Sequence, residues 1–172
     1  MEFYEVVNRR LSVRAYKSDP VPDEVLNRIL EAGRRAPSAK NYQPWKFIVV
    51  KDAAVRQALV PACRNQAFIA QAPMVICGCA LEELAWKGMG GYWSAAVVDV
   101  TIALEHIILA ATAEGLGTCW IGAFKEEEVR KVLGIPDGVK PVALTPLGYP
   151  AQEPKPRERK PLAEIVCFDR YQ

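Results

Sequence analysis

The sequence predicts one α+β domain, and three observations carry that prediction. The chain has 172 residues, of which 51% are hydrophobic, enough for a single sizeable core. Helical stripes and short strand-like runs follow one another only loosely, without strict β-α alternation. No G-x-G-x-x-G follows an apolar run, which disfavours a dinucleotide-binding Rossmann unit.

The elements read as follows. Phe3 to Arg9 forms a short helix. Pro22 to Arg35 forms a second: Pro22 suits the first turn, Asp23 and Glu24 suit its positive end, and Val25, Leu26, Ile29 and Leu30 make one stripe. Lys46 to Lys51 is a strand, and Asp52 caps a helix from Ala53 to Leu59. Pro73 to Cys79 is a buried strand. Leu81 to Tyr92 is irregular, with Gly88, Gly90 and Gly91 among Trp86, Met89 and Tyr92. It is either a cover over a pocket or a surface loop.

Ser94 to Glu114 is a long helix ended by Gly115 or Gly117. Its apolar length approaches that of a membrane span, but Asp99, Glu105 and His106 interrupt it and no basic flank orients it. A helix apolar all round is buried on every face, which a chain this short achieves by pairing with a second copy. Thr118 to Ile121 is a short strand, Lys125 to Leu133 a helix closed by Gly134, and Pro141 to Leu147 a strand. A proline-rich, charged tail follows, and a last strand is expected around Ile165-Val166-Cys167.

Charge is nearly balanced, 22 basic against 20 acidic residues, so a broad nucleic-acid surface is not expected. The first residues hold no basic segment followed by an apolar run, so no signal peptide is expected. Five cysteines, none in a C-x-x-C pair, fit a reducing, cytoplasmic setting. Cys77 and Cys79 share one strand face and read as small core residues rather than metal ligands. His106 is the only histidine and lies in the apolar helix, which disfavours a Ser-His-Asp triad.

Five stretches have the residue types of a ligand site. Between Pro37 and Pro44 lies a stiffened loop whose Ser38, Asn41 and Gln43 offer fixed donors and acceptors. Read alone, it is a helix-to-strand connector or a ligand loop. Arg9-Arg10-Leu11-Ser12-Val13-Arg14 is a solvated basic turn or a phosphate grip, since guanidinium forks match phosphate oxygens. Pro156-Arg157-Glu158-Arg159-Lys160-Pro161 is a basic tail. Asn65-Gln66 precedes the buried strand, and the glycines of Gly115 to Phe124 let backbone pass close to core or cofactor.

Together these stretches resemble the nitroreductase family of FMN-dependent oxidoreductases, from Arg10 to Val166. The resemblance implies a central, mainly antiparallel sheet flanked by helices, in an intertwined homodimer built around the helix from Ser94 to Glu114. The C-terminal tail would reach across to the partner. It implies that Arg10, Leu11, Ser12 and Arg14 hold the FMN phosphate with Arg157 and Arg159, Lys160 being a third candidate. Pro37, Ser38, Ala39, Asn41 and Gln43 would approach the flavin from the other chain, and Asn65 would bond its side chain or ring edge. Ile121, Gly122 and Ala123 would set a backbone amide near N5.

The implied activity is hydride transfer from NADH or NADPH to flavin N5, then to a nitroaromatic, a quinone or a similar small acceptor. The segment from Trp86 to Trp93 would wall the acceptor. No nucleic acid and no membrane is implied as partner. Two departures stand out. Phe68 occupies a position where some members carry lysine, and the segment from Ile121 to Phe124 holds no glutamate to match the one that larger members carry close by, so no catalytic side chain is assigned. Alternatives are a dehalogenase-like or flavin-consuming relative, a non-catalytic flavin sensor, and a ligand-free structural dimer.

Overall fold

The computed structural model describes residues 1–171. Its helices are α1 (Phe3–Arg9), α2 (Asp23–Arg34), α3 (Ala53–Ala62), α4 (Phe68–Gln71), α5 (Ala96–Ala113), α6 (Glu126–Leu133) and α7 (Leu162–Ile165). The strands are β1 (Trp45–Val50), β2 (Met74–Leu81), β3 (Gly117–Thr118) and β4 (Val139–Gly148). They form one sheet in the order β1-β2-β4-β3, with every pairing antiparallel.

The sheet separates two apolar layers because β2 is buried along nearly its whole length and alternates its side chains. Met74, Ile76 and Ala80 face α5 and α2, where Ile29, Val100, Leu104 and Ile107 complete the packing. Val75, Cys77 and Cys79 face α3 and α6, with Leu59, Val129 and Leu144. Each such aliphatic side chain contributes about 1.5–3 kcal/mol on burial. Two glycines allow α5 to lie this close. A Cβ on Gly33 of α2 would stand 2.6 Å from Ile107 Cγ1, and one on Gly78 of β2 would stand 2.6 Å from Leu104 Cδ1.

By length and composition α5 could cross a membrane; here half of it is buried within the chain. Its remaining face carries half-buried Val98, Ile102, Glu105 and Leu109, with Val97 and Thr101 exposed beside them. Gly115, at φ 77°, ends it in the left-handed region. Asp52 caps α3 by accepting the Val55 N–H at 2.9 Å, as expected.

Three expectations are corrected. The helix from Ala53 runs past Leu59 to Ala62, with Pro61 in its last turn. The third strand stops at Thr118: the Cys119 N–H turns to Thr145 Oγ1 at 3.3 Å, and only Ile121 rejoins β4, as an isolated bridge to Leu144. The last strand is absent. Pro161 instead opens the helical turn α7, and neither sheet edge pairs with Ile165-Val166-Cys167; Leu162 and Ile165 are exposed.

Candidate active site

After α1 the chain becomes extended at Arg10 and runs alongside β3, with the Val13 N–H donating to the Thr118 carbonyl at 2.8 Å. Val13 is buried by this contact. Arg10, Ser12 and Arg14, two residues apart, share the opposite face. The segment continues beside the end of β4, where the Lys17 N–H donates to the Tyr149 carbonyl at 2.9 Å and the Ala151 N–H to Ala15 at 2.9 Å. These bonds aim the C-terminal tail back across the N-terminal segment.

The result is a cleft of about 560 Å³ lined by Arg10, Leu11, Ser12 and Arg14 from one end of the chain and by Lys155, Pro156, Arg157 and Arg159 from the other. No carboxylate lines it. Among the described residues, none of its four arginines nor Lys155 pairs with an acidic group. Five cations gathered without a counter-ion repel one another, and a phosphate monoester relieves that repulsion. Lys160 does not line the cleft; its Nζ lies 3.9 Å from Glu164. Beneath the cleft, burial pushes the Cys119 thiol up, opposed by Arg14, a hydrogen bond with Ser12, and Arg10.

A second group of residues lies at the turn after α3. Arg64 and Asn65 both have φ 60°, and the Asn65 N–H donates to Val60 at 2.9 Å. Gln66 Nε2 donates to Cys63 at 2.8 Å and to Ala123 at 3.2 Å, which ties this turn to the 121–123 segment. Ile121 is 1% exposed and exchanges both peptide hydrogen bonds with Leu144, whereas Gly122 and Ala123 are exposed, their carbonyls accepting from the Phe124 N–H and from Gln66.

The loop Pro37–Gln43 lines neither the cleft nor this turn within one chain. It contains a single 3-10 turn, Ala39–Asn41, with Lys40, Asn41 and Gln43 at φ 51°, 58° and 50°. Ser38 Oγ accepts the Gln43 N–H at 2.9 Å, and Gln43 Nε2 donates to the Asn41 carbonyl at 3.1 Å and to its Oδ1 at 3.3 Å. The Ser38 hydroxyl proton and the Asn41 NH2 keep no protein acceptor among the described residues. Asp99 Oδ1 accepts the Ala39 N–H at 3.1 Å, and Lys40 Nζ stands 5.7 Å over the Trp86 ring. Near Trp86, Met89 and Trp93 close a tight hairpin on which Tyr92 and Trp93 stack, both exposed.

Sequence reasoning did not identify Lys155 or Asp99 as site residues. Lys155 belongs to the same extended basic run as Arg157, so the period-2 spacing could have found it. His106 is remote from the cleft, with Nδ1 3.3 Å from the Ala32 carbonyl. Among the described residues no cluster of histidine, cysteine or acidic side chains could hold a metal ion.

An antiparallel sheet between two helical layers thus carries a basic cleft built from both ends of the chain. The model described as "Nitroreductase family" matches residues 7–76 and 61–149, and the chain belongs to this family. It is 36% identical to an NADH dehydrogenase of Thermus thermophilus, over 93% of this chain and 92% of that one. It is 32% identical to the FMN reductase [NAD(P)H] of Bacillus subtilis, over 93% of this chain and 70% of that one. Among solved structures, a nitroreductase family protein of Clostridium difficile superposes with a TM-score of 0.89 at 29% identity, covering 99% of this chain and 100% of that one.

Proposed function

We propose that this chain is an FMN-dependent NAD(P)H oxidoreductase that reduces nitroaromatics, quinones or similar small acceptors. One observation carries the reading: five cations from both chain ends converge on a cleft without a carboxylate partner. Such a site suits the phosphate of FMN. It has no dinucleotide fingerprint beside it, and the FMN reductase of Bacillus subtilis is a relative over most of the chain.

In this reading Arg10, Ser12, Arg14, Arg157 and Arg159 hold the phosphate, Leu11 packs beside it, and Lys155 adds charge. Asn65 and the exposed amides of Gly122 and Ala123 line the flavin ring. FMN, when bound, supplies the hydride chemistry, accepting from NADH or NADPH and delivering to the acceptor in two alternating half-reactions. The protein would orient it. No protein acid is assigned, and protons would come from water or from the flavin itself.

A second copy of the chain completes the site. The α5 residues Val98, Ile102, Glu105 and Leu109 recur at four- and three-residue steps on a face that this chain does not cover. Pairing across it would bring Pro37, Ser38, Ala39, Asn41 and Gln43 of the partner to the flavin. The buried thiols Cys63, Cys77, Cys79 and Cys119 suit a cytoplasmic setting.

The test is direct. Purified protein should be yellow, release FMN on heating, and run at about twice the single-chain mass in light scattering. It should oxidise NADH or NADPH steadily with a quinone, giving parallel double-reciprocal plots. Recovery of FAD, or of no flavin after incubation with FMN, refutes the cofactor. A flavin-bound monomer refutes the shared site.

A further inference from the structure

We propose that Asp99, in the first turn of α5, is a positioning residue that fixes the loop Pro37–Gln43 against the fold by accepting the Ala39 N–H. This rests on the reading that the loop meets FMN.

The loop needs an anchor. Three of its non-glycine residues lie in the left-handed region, and such backbone persists only where its surroundings over-determine it. Its internal bonds, from Gln43 to Ser38 and Asn41, define its shape but not its place. Asp99 supplies the hydrogen bond that crosses from the middle of the loop to a distant element, over 60 positions of sequence. Its helix is in turn tied to the aromatic hairpin by the Ala95 N–H, which donates to the Trp86 carbonyl at 2.8 Å. One helical turn thus sets both the loop and the segment beside it.

Asp99 is also chemically out of place for a structural acceptor. It is 3% exposed, and its Oδ2 is buried without any hydrogen-bond partner among the described residues. A buried carboxylate used on one side only is costly, and an asparagine would accept the same N–H. The carboxylate accepts that N–H at 3.1 Å at the positive end of α5. That arrangement favours a fixed loop over a stable apo chain.

The experiment titrates FMN into apo protein and follows quenching of flavin fluorescence, with apo unfolding temperature and the visible flavin band as further readouts. Asp99→Leu removes the acceptor, and Ala39→Pro removes the donor; Ser38, already extended, tolerates a following proline. Each should weaken FMN binding roughly tenfold or more, while Asp99→Asn stays within about threefold of wild type and keeps its band shape. Apo Asp99→Leu should unfold no earlier than wild type, because leucine relieves the buried carboxylate. Asn41→Ala separates the two readings. If it weakens FMN but Asp99→Leu and Ala39→Pro do not, the loop reading stands and Asp99 is not its anchor. If Asn41→Ala also binds FMN like wild type, the loop reading falls and the inference with it. Equal losses in Asp99→Asn and Asp99→Leu would show that the charge, not the bond to Ala39, matters, and would overturn the proposal. So would wild-type binding by Ala39→Pro alone.

Discussion

Arg10→Ala should weaken FMN but leave riboflavin almost untouched. Arg10 is half-buried at the end of α1 and faces the cleft beside Arg14, Arg157 and Arg159. A phosphate monoester carries about −1.5 to −2 charges near neutral pH. A charge-assisted hydrogen bond to it is worth about 1.5–3 kcal/mol, or roughly ten- to a hundredfold in affinity. The cleft is open to water, which places Arg10 near the lower bound, about tenfold, with a smaller loss at high salt. Riboflavin lacks the phosphate, so its dissociation constant should change less than about twofold. Arg159→Ala should act alike. If both arginines grip one phosphate, the double variant should depart from additivity by about 0.5–3 kcal/mol. Fluorescence titration of the four apo proteins with both flavins gives all eight constants. Equal losses for FMN and riboflavin would place Arg10 at the ring or in folding, and unchanged FMN affinity in both single variants would move the phosphate elsewhere.

Other outcomes follow from the same geometry. Tyr92→Ala and Trp93→Ala should keep their FMN but change kcat/KM unequally for a quinone and a nitroaromatic, by about 0.5–1.5 kcal/mol; equal responses, or lost flavin, would remove the hairpin from the acceptor wall. Gly78→Ala should lower stability to urea by about 1–3 kcal/mol, because its Cβ meets Leu104 Cδ1 at 2.6 Å, and trimming Leu104 to alanine should recover part of that loss. Burial holds the Asp99 carboxyl above its ordinary value of 3.8, with the Ala39 hydrogen bond opposing. The folded chain therefore binds this proton more readily than the unfolded one, so this group's contribution falls as pH rises from the ordinary value through the raised one. Relative to Asp99→Asn, wild type should gain stability as pH drops across that window; a flat difference in urea denaturation would contradict it.

The helices and strands were legible where their residues act locally. The stripe of α2, the Asp52 cap and Gly134 at φ 63° all announce themselves within a few positions. The error at Ile165-Val166 has a different origin. Two β-branched residues look like a strand, but a strand exists only where an edge accepts it, and the edges of this sheet do not. The two arginine groups were legible as charges, and the family resemblance joined them before any contact was known. Asp99 was not legible as an anchor, because its partner is a backbone N–H sixty positions away and carries no side-chain signature. The three left-handed residues of the loop were equally silent, asparagine aside.

The cleft joins residues 10–14 to residues 155–159, so it cannot exist on a ribosome-bound chain until the second group has emerged. If FMN binds as proposed, its phosphate would act as a clasp between two chain segments that are otherwise joined by a few backbone bonds. Its contribution to resistance against proteolysis of the tail should scale with free FMN over its dissociation constant. On that reading, a cell short of flavin would carry this protein with its tail more open to cleavage, and the protein's lifetime would follow cofactor supply.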